Sequence, residues 1–120
     1  MADYKLAQGE AGFADLVWEN EPINSGELAK LSENKLKWKK STTYTVLKKL
    51  CDKGIFKNEN SIVSSVLKKE EFVAKQSRKF VDDIFDGSLP KFIATFIGRK
   101  KLSDEQAEEL KRLIDEYRED

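Results

Sequence analysis

The spacing of apolar residues changes at Gly54, and that change limits the folds open to this chain. Ahead of the glycine, Val46, Leu47 and Leu50 recur at the three-to-four spacing of a helical stripe. Behind it, Ile55-Phe56-Lys57 is a short apolar run and Asn58-Glu59-Asn60-Ser61 is a turn by composition. Ile62-Val63-Ser64-Ser65-Val66-Leu67 is β-branched and reads as a returning strand. A glycine just past a helix end commonly takes the left-handed conformation that closes it, so Gly54 marks the joint.

Two more helices precede this one. Phe13, Leu16 and Val17, with Trp18 beside them, predict a helix over 9–20. Asn20-Glu21-Pro22 stops it, because proline lacks a donor and restricts the residue before it. Ile23 is expected to make a one-residue strand contact. Asn24 or Ser25 caps a second helix that begins at Glu27 or Leu28 and buries Leu28, Leu31 and Leu36. Residues 35–40 read as a loop with Trp38 embedded. That ring either packs the link against the second helix or offers its face and indole N–H to a ligand. Ser41 then caps the third helix, which runs to about Asp52. Three helices followed by a hairpin is the order of a winged helix-turn-helix.

The third helix has an unusual free face. Ser41, Thr42, Tyr44, Thr45, Lys48 and Lys49 occupy it, hydroxyls first and lysines after, with no acid. Hydroxyls hydrogen-bond bases and phosphates, and lysines pair with phosphate. Ser41, Thr42, Tyr44 and Thr45 lie in the first turn and a half, the end of a recognition helix that enters the major groove, and are the candidate base contacts. Lys39, Lys40, Lys48, Lys49 and Lys57 are the candidate phosphate contacts. The chain carries no net charge, which by itself argues against nucleic acid. The distribution argues the other way. Residues 35–57 hold eight lysines against the single acid Asp52, whereas 103–120 hold eight acids against Lys111, Arg112 and Arg118. A basic patch, and not the bulk sum, is what phosphate meets.

The second half is read as three more helices. Residues 68–86 form a long one with Phe72, Val73, Phe80, Val81, Ile84 and Phe85 on one side. Asp86-Gly87-Ser88 breaks it. A short helix over 89–97 carries Leu89, Phe92, Ile93, Phe96 and Ile97, and Gly98 ends it. Ser103 with Gln106 three later has the form of a capping box. The last helix carries Ala107, Leu110, Ile114 and Tyr117 in a narrow seam suited to another helix. Phe80, Phe85, Phe92 and Phe96 exceed what one pair of short helices buries in itself. The candidate dimerisation residues are therefore Phe80, Phe85, Leu89, Phe92, Ile93, Phe96, Leu110, Leu113, Ile114 and Tyr117. The expected fold is mainly α with a small β-hairpin: a winged helix-turn-helix DNA-binding domain over 1–67, then a three-helix dimerisation region over 68–120.

Other chemistry has little to stand on. The chain has no histidine and one cysteine, which leaves no intrachain disulfide and no Cys/His zinc site. The six glycines are scattered, and none precedes the Lys-Ser/Thr pair of a phosphate loop. Cys51 has no histidine to activate it and reads as a semi-buried thiol. The acids of the last helix are interspersed with basic residues and read as a solvated face. No enzyme activity, metal or cofactor is expected. No apolar run approaches the roughly 20 residues that span a bilayer, so no membrane insertion is expected. Met1-Ala2-Asp3-Tyr4-Lys5 lacks an apolar signal core, and a cytoplasmic protein is the expectation.

The stretch from Trp38 to Gly54 resembles the penicillinase-repressor family, which includes the β-lactamase, methicillin-resistance and copper-transport repressors. The family pattern is a tryptophan, a Thr-Val-Tyr-Thr-like run, Leu, a basic pair, Leu and a Lys-Gly-hydrophobic close. The resemblance continues through Glu70-Glu71-Phe72, Phe80…Phe85-Asp86-Gly87-Ser88 and Leu102-Ser103…Glu108-Glu109-Leu110…Leu113, and covers nearly the whole chain. It implies a homodimeric winged-helix repressor on a palindromic operator in double-stranded DNA, controlling a resistance or stress operon. It also implies, for antibiotic-sensing members, a membrane sensor protease whose signal leads to cleavage before a phenylalanine. The matching bond here is Thr95–Phe96, with threonine where well-studied members have asparagine. The cysteine cluster that ends the copper-responsive branch has no counterpart in Asp115-Glu116-Tyr117-Arg118-Glu119-Asp120. The hairpin is less basic than in many members, so the wing is expected to contribute less phosphate contact. A winged helix that binds a partner protein, with its C-terminal helices as a docking arm, is the alternative that overall neutrality favours.

Overall fold

The computed structural model describes residues 6–119. Met1 to Lys5, read above for the lack of a signal core, and Asp120 lie outside the described residues.

Three helices and a three-stranded sheet come first. Helix α1 spans Gln8–Asn20. Strand β1, Ile23–Asn24, leads into α2, Ser25–Leu36, and α3 spans Lys40–Asp52. Strands β2, Phe56–Glu59, and β3, Ile62–Ser65, form the hairpin. The sheet is antiparallel in the order β1-β3-β2, with Ile23 opposite Val63 and Asn58 opposite the same residue on the other side. The core of this half is made by Phe13, Ala14 and Val17 of α1, Leu28 of α2, Leu47 and Leu50 of α3, Ile55 with Phe56, and Val63. Alternate residues of a strand share a face, so Phe56 and Val63 face the helices while Lys57, Glu59 and Ile62 stay exposed. Ala14 is fully buried, whereas Leu16, expected in the stripe, is half-buried.

The joint at Gly54 is built as expected. Its φ is +83°, its N–H donates to the Cys51 carbonyl, and the Ile55 N–H reaches back to the Leu50 carbonyl. These two bonds satisfy carbonyls that a helix end otherwise leaves open. The turn after β2 is shorter than expected. Asn58 and Glu59 remain in the strand, and only Asn60 and Ser61 make the turn, both with positive φ (53° and 66°). A two-residue turn of this handedness matches the twist of the flanking strands. The returning strand stops at Ser65, because the Val66 and Leu67 N–H groups both leave the ladder for the Ile55 carbonyl.

Three helices follow: α4, Lys69–Phe85; α5, Leu89–Arg99; and α6, Asp104–Tyr117. Packing divides the chain inside α4, after Arg78. The start of α4 belongs with the winged helix, since Phe72 is buried there against Trp18. The first turns of α4 thus pack with the winged helix, and the unit that follows begins at Lys79. Ser88 caps α5 through the Lys91 N–H, and Ser103 caps α6 in the reciprocal capping box with Gln106. Gly98 does not end α5. The helix continues to Arg99, and the Lys100 N–H still donates to the Phe96 and Ile97 carbonyls.

Candidate nucleic-acid interface

The link into α3 is tighter than the sequence suggested. α2 runs to Leu36 and is closed by Lys37 in the left-handed conformation, φ 60°. The N–H groups of Lys37 and Trp38 both turn back to the Ser32 carbonyl. Only Lys37, Trp38 and Lys39 separate the helices, not six residues. Ser41 is not the cap. Lys39 holds that position, with its carbonyl accepting from the Thr43 N–H at 3.1 Å, so the helix is already under way when the chain reaches Ser41. Asn24, one of the two expected caps, caps α2 by accepting from the Gly26 N–H, so the helix begins at Ser25, two or three residues before the expected start. Trp38 packs the link against α1: its ring stacks on Phe13 with centroids 5.4 Å apart and planes 23° off parallel. Trp18 fixes α1 to the exit of the wing by donating its indole N–H to the Leu67 carbonyl at 2.9 Å.

These anchors set which side of α3 faces outward. Thr43, Leu47 and Leu50 are buried, and Ser41, Thr42, Thr45, Lys48 and Lys49 are exposed. Tyr44 is half-buried, with the Lys40 ammonium 5.9 Å from its ring centroid. Ser41 and Thr42 have no side-chain hydrogen bond among the described residues. The Thr45 hydroxyl donates to the Ser41 carbonyl at 2.9 Å, which leaves it only acceptor capacity toward a ligand. A cleft of about 340 Å³ between α3 and β2 is lined by Tyr44, Leu47, Lys48, Cys51 and Asn58. Burial, helped by the charge of Asp52, pushes the Cys51 thiol above its ordinary pKa and away from the thiolate form.

The five candidate phosphate lysines divide into two groups. Lys39, Lys40 and Lys48 have no ion-pair partner among the described residues. Lys49 is engaged by Glu10 of α1 at 2.7 Å, and Lys57 lies 3.7 Å from Glu59 on its own strand. Glu10 was not singled out in the sequence. It is buried at the start of α1, accepts from the Ala7 N–H, and also lies 3.9 Å from Lys53. The hydrogen bond from Lys49 holds its carboxyl below the usual value against the opposing effect of burial. A second such acid is Glu21. Burial pushes its pKa up, but bonds from the Ser65 hydroxyl and N–H and the nearby Lys68 ammonium outweigh that and bring it down.

Beyond Arg78 the apolar residues are open. Neither α5 nor α6 contains a fully buried residue. Phe80, Leu89, Phe96, Leu113, Ile114 and Tyr117 are exposed, from 46% at Leu113 to 77% at Tyr117, and Phe85, Phe92, Ile93 and Leu110 are half-buried. The rings of Phe80, Phe85, Phe92 and Phe96 contact one another in a chain with centroids 5.5–6.3 Å apart. The Thr95–Phe96 bond lies within α5, with both side chains exposed. Among the described residues no helix is long and apolar enough to cross a membrane.

Three helices, a hairpin and an outward α3 bearing hydroxyls and lysines define a winged helix-turn-helix of the DNA-binding kind. The chain belongs to the penicillinase repressor family, whose family model matches residues 6–116. That family is one of transcriptional repressors. The chain is similar to the methicillin resistance regulatory protein MecI of Staphylococcus aureus, at 21% identity over 92% of this chain and 94% of that protein. It is also similar to the penicillinase repressor of Bacillus licheniformis, at 20% identity over 95% and 92% of the two chains.

Proposed function

We propose that this chain represses transcription as a homodimer, each copy placing its α3 in the major groove of one half of a palindromic operator. The observation that carries the reading is the exposed side of α3, where Ser41, Thr42, Tyr44 and Thr45 lead and Lys48 follows, with Lys39 and Lys40 at its entrance. The hydroxyl residues read base edges, and the unpaired lysines meet phosphates and supply affinity without sequence choice. Two copies give two half-site contacts about one helical turn apart, roughly 34–36 Å, or a multiple of it. The exposed apolar residues of α5 and α6 support the second copy. The names of the relatives, methicillin resistance and penicillinase, make a resistance operon the first choice of target. Repression follows from occupying promoter DNA in the cytoplasm, and induction from anything that weakens the dimer.

A membrane sensor protease is the partner that this reading supplies for induction, with Thr95–Phe96 as the bond cut. Because that bond sits in a helix, the segment has to unwind first. A fragment ending at Thr95 in induced cells supports this route, and an intact chain in fully induced cells removes it. The repressor reading itself is tested by titrating the chain into a duplex from the promoter of its own operon. Sub-micromolar, salt-sensitive and sequence-selective binding is expected; its absence overturns the reading.

A further inference from the structure

Beside the left-handed turn at Lys37 is a cleft that adds Lys37 to the lysines already placed at the entrance of α3. It lies between the end of α2 and the start of α3, has a volume of about 570 Å³, and is lined by Glu33, Asn34, Lys37, Trp38, Lys39 and Lys40. Three ammonium groups there face one carboxylate. Among the described residues none of the three lysines has an ion-pair partner, and only Lys40 has a further contact, with the Tyr44 ring. Three lysines against the one acid, Glu33, leave the lining with an excess of positive charge that favours an anion. One wall is rigid, because Trp38 is stacked on Phe13 in the core. Asn34 adds a neutral amide donor to the lining. Lys37 was not among the candidate contacts. It occupies a position where glycine or asparagine is usual, and this backbone conformation is unfavourable for lysine, so the side chain carries a local conformational cost.

We propose that this cleft seats a phosphodiester of the DNA backbone, with Lys37 as a direct contact from the turn between α2 and α3. The inference rests on the DNA-binding reading above and adds a contact outside the exposed face of α3. Phosphate is the shared chemistry, and DNA backbone is the source, since the cleft flanks the entrance of the helix that enters the groove.

The test uses the full chain, fluorescence anisotropy and a salt series, on the promoter duplex and on a scrambled duplex of equal length. The variants are Lys37→Asn and Lys37→Gly, both of which accept the left-handed conformation, with Lys100→Gln as an equal charge change elsewhere. Each Lys37 variant is expected to lower the slope of log affinity against log salt by about 1, with equal losses on both duplexes, while Lys100→Gln leaves the slope unchanged. A wild-type slope in both Lys37 variants, with the wild type itself binding DNA, overturns the cleft and leaves the repressor reading intact. No salt-dependent binding by the wild type overturns both. In a parallel titration the Trp38 indole resonance is expected to move with duplex and not with inorganic phosphate at equal ionic strength. Movement with phosphate alone overturns the assignment to DNA.

Discussion

Glu10 of α1 and Lys49 of α3 meet at 2.7 Å, and this bond ties the first helix to the C-terminal half of the proposed reader. The carboxylate is buried while the lysine is half in solvent, so the two partners are not equivalent. Removing Lys49 strips a buried acid of its best partner and leaves it the Ala7 N–H at 3.2 Å and Lys53 at 3.9 Å. Lys49→Ala is expected to lower unfolding stability by about 1–3 kcal/mol, the range for hydrogen bonds to charged groups. Lys48→Ala is expected to leave stability within about 0.5 kcal/mol and to reduce the salt slope of DNA binding. Urea unfolding and a salt series on both variants check this. Equal slopes lost by the two, with equal stability, would return Lys49 to the phosphate contacts.

Acid sensitivity follows from the same carboxylate and from Glu21. Both have folded pKa values below the ordinary 4.5, so both bind protons less readily folded than unfolded. Their contribution to stability is complete above the unfolded value and is lost as pH falls through the folded one. Stability is therefore expected to be flat from neutral pH down to about 5 and to decline below that. In Glu10→Gln the neutral-pH stability is expected to be lower and the decline shallower. Denaturant midpoints at a series of pH values decide it, and an unchanged slope below pH 5 in this variant counts against the assignment.

Much of this arrangement was legible from residue types, because the devices involved are local. Gly54, the Ser103–Gln106 box and the Asn20-Glu21-Pro22 stop each act within a few residues, and each is where it was expected. The errors come where tertiary contacts choose among local options. Ser41 is a better cap than Lys39 by residue type, yet the Ser32 carbonyl closes α2 on Lys37 and Trp38 and starts α3 early. Ile62 to Leu67 looked like one strand, but the Ile55 carbonyl captures the last two N–H groups. The Glu10–Lys49 pair spans 39 residues and has no local signal. The exposed side of α3 was readable because helical spacing alone separates Leu47 and Leu50 from Ser41, Thr42 and Lys48; buried Thr43, a polar residue, was not foreseen.

The hairpin turn offers a stability test in the opposite direction. Asn60 and Ser61 both have positive φ, and asparagine followed by glycine is the preferred pair for such a turn. Ser61→Gly is expected to raise stability by roughly 0.5–1 kcal/mol, because it removes the steric cost at 66°. Gly54→Ala is expected to lower stability by roughly 1–2 kcal/mol. A Cβ at Gly54 meets nothing within 4 Å, so the whole loss is conformational. Thermal melts of the two variants should shift in opposite directions; a shift of both the same way rules out the backbone argument.

A change at Ile114 tests the proposed dimerisation separately from folding. Its side chain is 58% exposed on α6, so Ile114→Glu disturbs little within one copy. In a dimer that covers this residue, the same change buries a carboxylate without a partner, which is strongly unfavourable. Ile114→Glu is therefore expected to keep its helical content and to sediment as a monomer at concentrations where the wild type is a dimer. Its operator affinity should fall by about 10²–10⁴, the usual gain from linking two binding events. Binding to a single half-site, which needs only one copy, should be unchanged. A variant that stays dimeric takes Ile114 out of the interface. A monomeric variant that retains full operator affinity removes the reason for two copies, and with it the account of induction through dimer loss.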